Sequence, residues 1–87
     1  MSGSRNAESP PTLISLEQQE QVALKLLHDA AAIAALSAQR ITTDPTPAAA
    51  QVAALDDATR LVRRRFTAWH TARTQLGAAR RDDRRQT

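Results

Sequence analysis

From Leu55 to Leu76 the chain sets Leu55, Ala58, Val62, Arg65, Trp69, Ala72 and Leu76 at alternating spacings of three and four residues. That rhythm keeps the side chains on one side of an α-helix, and it is the seam by which a helix packs on another helix. A strand needs a period of two, and two glycines in 87 residues offer little turn chemistry for a β-rich fold. The chain is expected to be all-α, and the question becomes what lies against the stripe.

A matching face lies upstream. Leu16, Val22, Ala23, Leu26, Leu27, Ala30, Ile33, Ala34 and Ile41 cover one broad side of a second helix, with Leu36 at its edge and Leu24 outside it. Gln21, Lys25, His28, Ala32 and Gln39 fall opposite. Ser15-Leu16-Glu17-Gln18 fits a capping box, and Glu17 and Glu20 suit the positive end of the helix dipole. Between the two stretches, Asp44-Pro45-Thr46-Pro47 interrupts any continuous helix, because each proline lacks an N–H and clashes with the preceding turn. Thr46, held extended by the next proline, suits an N-cap, and Pro47 the first helical position.

These signals predict an arm over residues 1–14, a helix over 15–41, a turn over 42–46, a helix over 47–80 and a tail over 81–87. So short a turn makes the helices antiparallel neighbours. Residue i then faces roughly residue 88 − i. Ile33 meets Leu55, Ala30 meets Ala58, Leu26 meets Val62 and Val22 meets Phe66. Leu13 and Ile14, at the end of the arm, can fold back over Trp69 and Leu76. The expected fold is an antiparallel two-helix hairpin with a disordered N-terminal arm and a basic, flexible C-terminal tail.

Two helices cannot enclose a core. Alanine dominates the apolar residues, and it is the best helix former but buries little area. Phe66 and Trp69 are the only large aromatics, and there is no cysteine for a disulfide. A scaffold this small ordinarily needs a staple, an oligomer or a partner. Dimerisation into a four-helix bundle, or docking on a larger protein, would cover the leftover apolar surface.

Charge divides the chain. Residues 1–59 hold three basic and seven acidic side chains, whereas residues 60–87 hold nine arginines against two aspartates. Arg60, Arg63 and Arg64 fall on one helical face opposite the stripe, and Arg80, Arg81, Arg84 and Arg85 follow in the tail. The planar guanidinium donates two parallel hydrogen bonds to a phosphate, so this face is the candidate nucleic-acid contact. A solvated face is the ordinary fate of such a charge run. No helix-turn-helix pattern, zinc spacing or aromatic interleaving accompanies it.

Catalysis has almost no support. His28 and His70 sit roughly 15 Å apart along the expected hairpin, too far to share a metal that needs three or four clustered ligands. Asp56-Asp57 and Asp82-Asp83 are neighbours in sequence, so their carboxylates diverge by about 100° around a helix and form no acid–base dyad. Asp56 instead pairs favourably with Arg60 one turn on. No phosphate loop or activated nucleophile is present, and no cofactor or metal is expected.

The N-terminal residues lack an apolar core, so no secretory signal is expected, and the Ala30–Leu36 run is too short to span a bilayer. A cytoplasmic location follows as the expectation. The sequence reads as a non-enzymatic, chaperone-like or adaptor-like module that binds a protein partner or a second copy. Leu26, Ile33, Leu55, Val62, Arg65, Phe66, Trp69 and Leu76 are its candidate contact residues, and Arg65 is expected to extend its head group to Glu20 or a partner carboxylate.

Overall fold

The computed structural model describes residues 12–86. Within them lie two helices, α1 (Leu13–Thr43) and α2 (Ala49–Gln86), and no strand. Glu20 meets Arg73 and Glu17 meets Arg80, so the helices run antiparallel as a hairpin. Its thinnest dimension is 13 Å, about the diameter of one helix with its side chains.

Each boundary differs from expectation for a local reason. Thr12 takes the N-cap expected at Ser15: its backbone is extended and its hydroxyl accepts the Ser15 N–H at 3.0 Å. Leu13 and Ile14 therefore join the helix rather than an arm. The rest of the expected arm, residues 1–11, lies outside the described residues. Ser15, now inside the first turn, accepts a bond from Gln19 Nε2 at 3.4 Å. At the other end Thr42 and Thr43 turn their hydroxyls back to the carbonyls of Ala38, Gln39 and Arg40, and the Asp44 N–H caps Ile41. Of these acceptors, the carbonyls of Arg40 and Ile41 are among the last four that a helix terminus leaves without partners, and α1 runs to Thr43 instead of Ile41.

The start of α2 moves as well. Asp44 Oδ1 accepts the Thr46 N–H at 3.0 Å, a side-chain turn. Ala48, not Thr46, precedes the helix, and its carbonyl accepts the Val52 N–H at 3.2 Å. Gln51 reaches back to the Ala48 N–H at 2.8 Å, half of a capping box with no side-chain oxygen on the capping residue. The helix also continues past Arg80 through the stretch expected to be a flexible tail.

Because α1 ends later and α2 begins later, the register slips by about four residues, close to one helical turn. Glu20 consequently meets Arg73, at 3.1 Å, rather than Arg65. A slip of one turn preserves the face while changing the partners, so the seam survives. Every position from Leu55 through Ala58, Val62, Arg65, Trp69 and Ala72 to Leu76 is buried or half-buried. So is every position of the α1 series Leu16, Glu20, Ala23, Leu27, Ala30, Ala34, Ser37 and Ile41. Leu24 flanks that series and is half-buried, not outside it. Val22, Leu26 and Ile33, expected to meet α2, are exposed instead, and so is Phe66.

The core is thin. Among the described residues the buried apolar side chains are Leu16, Ala30, Ala58 and Leu76. Two of these are alanines, whose small size permits close helix approach but buries little area. Gly77 lies inside α2, and a Cβ there would meet only Arg81 Nη1, at 3.8 Å. Gly77→Ala is expected to stabilise the hairpin by about 0.5–1 kcal/mol by restricting the unfolded chain, read as a rise in urea midpoint by circular dichroism.

Candidate interaction surface

A second stripe runs along α1, one residue out of step with the seam. Ser15, Gln19, Val22, Leu26, Asp29, Ile33, Leu36 and Arg40 repeat at spacings of four and three. The offset rotates this stripe by about 100° from the seam, which points it away from α2. Its four aliphatic members, Val22, Leu26, Ile33 and Leu36, keep between 39% and 59% of their surface exposed. Lys25 and Asp29 form an ion pair at 3.5 Å in the middle of it.

The stripe borders a shallow groove. Ser15, Gln18, Gln19, Val22, Ala23 and Leu26 form its α1 side, and Arg65 and Ala68 its α2 side. Arg65 thus projects to the rim of the groove and makes no ion pair within the hairpin, contrary to the expected reach to Glu20. Leu61 adjoins Arg64 and Arg65 farther along α2. This broad side of the hairpin is apolar at its centre and basic at its α2 margin.

The other broad side carries the ion pairs that lock the open end. Arg73 Nη1 lies 3.1 Å from Glu20 Oε1, and Arg80 Nη2 lies 3.1 Å from Glu17 Oε2. Glu20 is buried, and its second oxygen has no hydrogen-bond partner; the buried Trp69 indole N–H has none either. Phe66, half exposed, sits 5.9 Å from the Trp69 ring and 6.0 Å from the His70 ring. These three rings share one stretch of α2.

The candidate contact residues therefore divide. Leu55, Val62, Trp69 and Leu76 are spent on the hairpin's own seam. Leu26 and Ile33 stand on the outer α1 stripe, Arg65 on its rim, and Phe66 on the opposite side. Val22 and Leu36 complete the outer stripe and were absent from the expected contact set. The signal for them was present: the spacing from Val22 to Leu36 repeats the rhythm of the seam, shifted by one residue.

Arg60, Arg63 and Arg64 cover the outer edge of α2 with Asp57 and Thr67, an open surface with no enclosing wall. Arg60 is held by Asp56 at 2.9 Å, as the spacing predicts. Arg63 and Arg64 make no ion pair there. Arg81, Arg84 and Arg85 extend the charge along the same helix, while Arg80 turns inward to Glu17. The basic residues are thus displayed on a helix rather than a loose tail.

Among the described residues no cluster of three or more His, Cys, Asp and Glu side chains could hold a metal ion. Over its whole length α1, unlike the Ala30–Leu36 run alone, is long and apolar enough to cross a bilayer. A helix that packs inside a soluble bundle has the same length and composition, and α1 carries Lys25 and Asp29 mid-helix besides Glu17 and Glu20. Comparison with protein-family models, curated proteins and solved structures gave no match. Function must be read from the surfaces themselves.

Proposed function

We propose that this chain is a cytoplasmic, non-enzymatic interaction module that docks on protein through the outer stripe of α1. The observation that carries the reading is the exposure of Val22, Leu26, Ile33 and Leu36 in a second helix-packing rhythm. A helix face of this kind loses apolar contact with water when another helix covers it, at roughly 25 cal/mol per Å². Exposed aliphatic side chains gathered on one helix face, unlike ones scattered singly, mark an interaction site.

The test is an association assay by gel filtration with light scattering at low and high salt. Leu26→Glu is expected to abolish association at every salt concentration, because it replaces a buried apolar contact with a carboxylate that must lose its water. Arg63→Glu, on the outer edge of α2, is expected to leave it unchanged. Association that Leu26→Glu leaves intact contradicts the reading.

A second reading rests on Arg63 and Arg64, which present two guanidiniums without ion-pair partners among the described residues on one exposed helix edge. It predicts binding to duplex DNA that weakens steeply with salt, by a log–log slope of about −0.9 for each phosphate contacted. Fluorescence anisotropy with a labelled duplex distinguishes the two readings: a flat salt response or no binding removes the second.

A further inference from the structure

We propose that the occupant of the α1 stripe is a second copy of this chain, packed antiparallel about a two-fold axis at Asp29. The proposal rests on the docking reading above and names its partner.

The exposed face supports the pairing first. Val22, Leu26, Ile33 and Leu36 keep 39% to 59% of their surface exposed, apolar area that a second helix laid on the stripe would remove from water. The hairpin seam, with its few buried apolar side chains, leaves most of its stabilisation to be found elsewhere.

The layout of the stripe then favours a copy over a stranger. Asp29 stands seven residues from Val22 on one side and seven from Leu36 on the other, with Leu26 and Ile33 between. An isologous contact requires that a patch be complementary to itself. A two-fold axis at Asp29 satisfies this: the Val22–Leu26 half of one copy covers the Ile33–Leu36 half of the other, and the reverse holds at once.

Charge agrees with the geometry. The axis brings two Asp29 carboxylates together, and each arrives with its own Lys25 ammonium, 3.5 Å away in the single hairpin. The four charges cancel and can interleave, each lysine within about one turn of both carboxylates. The α2 margin of the same side carries Arg64 and Arg65, so like charges keep the contact centred on α1.

The absence of native cysteine makes the arrangement directly testable by single-cysteine crosslinking under mild oxidation. Asp29→Cys is expected to form a covalent dimer about tenfold faster or more than Arg63→Cys on the outer edge of α2, since paired thiols experience an effective concentration near millimolar. Leu36→Cys alone is expected to link slowly, because its two copies lie roughly 20 Å apart in the antiparallel pair. An equal mixture of Val22→Cys and Leu36→Cys is expected to link as a mixed dimer. Leu36→Cys linking as fast as Asp29→Cys overturns the antiparallel arrangement. A monomer at every concentration in sedimentation equilibrium overturns the second copy itself. In that case binding of an apolar dye that Ile33→Glu abolishes leaves the docking surface standing for another protein, and no dye binding removes the docking reading as well.

Discussion

Truncating Leu76 to alanine is expected to unfold the open end of the hairpin. Leu76 is the most buried large side chain among the described residues, at 2% exposure. Leu→Ala changes at such sites cost about 2–5 kcal/mol, the larger values where the surroundings cannot close over the gap. Two helices leave few neighbours able to do so. Small domains have on the order of 5 kcal/mol in total, so a loss of this size takes most of it. Urea unfolding followed by helical circular dichroism is expected to show a lower midpoint, with α2 frayed beyond Ala72. Gly77→Ala in the same helix is expected to move the midpoint the other way.

Arg73→Ala is the second large effect. Arg73 is the ion-pair partner of the buried Glu20 carboxylate, whose other oxygen already lacks a hydrogen bond. Removing Arg73 leaves a buried charge with no compensating cation, which costs about 3–5 kcal/mol for a fully buried pair. Arg73 is itself more than half exposed, and water screens part of the interaction, so about 2 kcal/mol is the expected loss. Glu20→Leu, by contrast, is expected to be near neutral or stabilising, because it removes the desolvation cost along with the attraction. The double variant Glu20→Leu with Arg73→Ala is expected to be more stable than Arg73→Ala alone, and a double-mutant cycle reads the coupling. Equal losses for Arg73→Ala with and without Glu20 would show that Arg73 acts through its packing instead of its charge.

The pair also explains where the sequence was sufficient and where it was not. The seam from Leu55 to Leu76 was legible because a three-four rhythm has one structural meaning, and each of its positions is buried or half-buried. The proline break likewise separated the helices unambiguously. The register was not legible, since it depends on where each helix stops. Thr12 competed with Ser15 as a cap, Thr42 and Thr43 prolonged α1, and Gln51 fastened the start of α2 to Ala48. Each choice shifts an end by only two or three residues, within the reach of local hydrogen bonds. Together they moved the pairing by about a turn and exchanged Arg65 for Arg73 opposite Glu20.

The apolar residues of α1 divide between two surfaces for a related reason. The α1 apolar residues form one broad face on a helical wheel, but a single neighbouring helix covers only a narrow part of it. Leu16, Leu27 and Ile41 fall on the covered part, and Val22, Leu26, Ile33 and Leu36 on the remainder. Reading two interleaved seams, one residue apart, separates them. Trp69 and Val62, which look like binding anchors by composition, are consumed by the fold. Arg60, Arg63 and Arg64 lie on the expected outer face because charge opposite a seam has nowhere else to go, whereas Arg80 turns inward to Glu17.

Sedimentation equilibrium of three proteins tests most directly whether the outer stripe of α1 is the working surface. The native chain is expected to sediment as a dimer at micromolar concentration. Ile33→Glu, on the stripe, is expected to sediment as a folded monomer, and Phe66→Glu, equally exposed on the other side, as a dimer. A dimer that survives Ile33→Glu, or one that Phe66→Glu dissociates, would place the contact elsewhere and contradict the account.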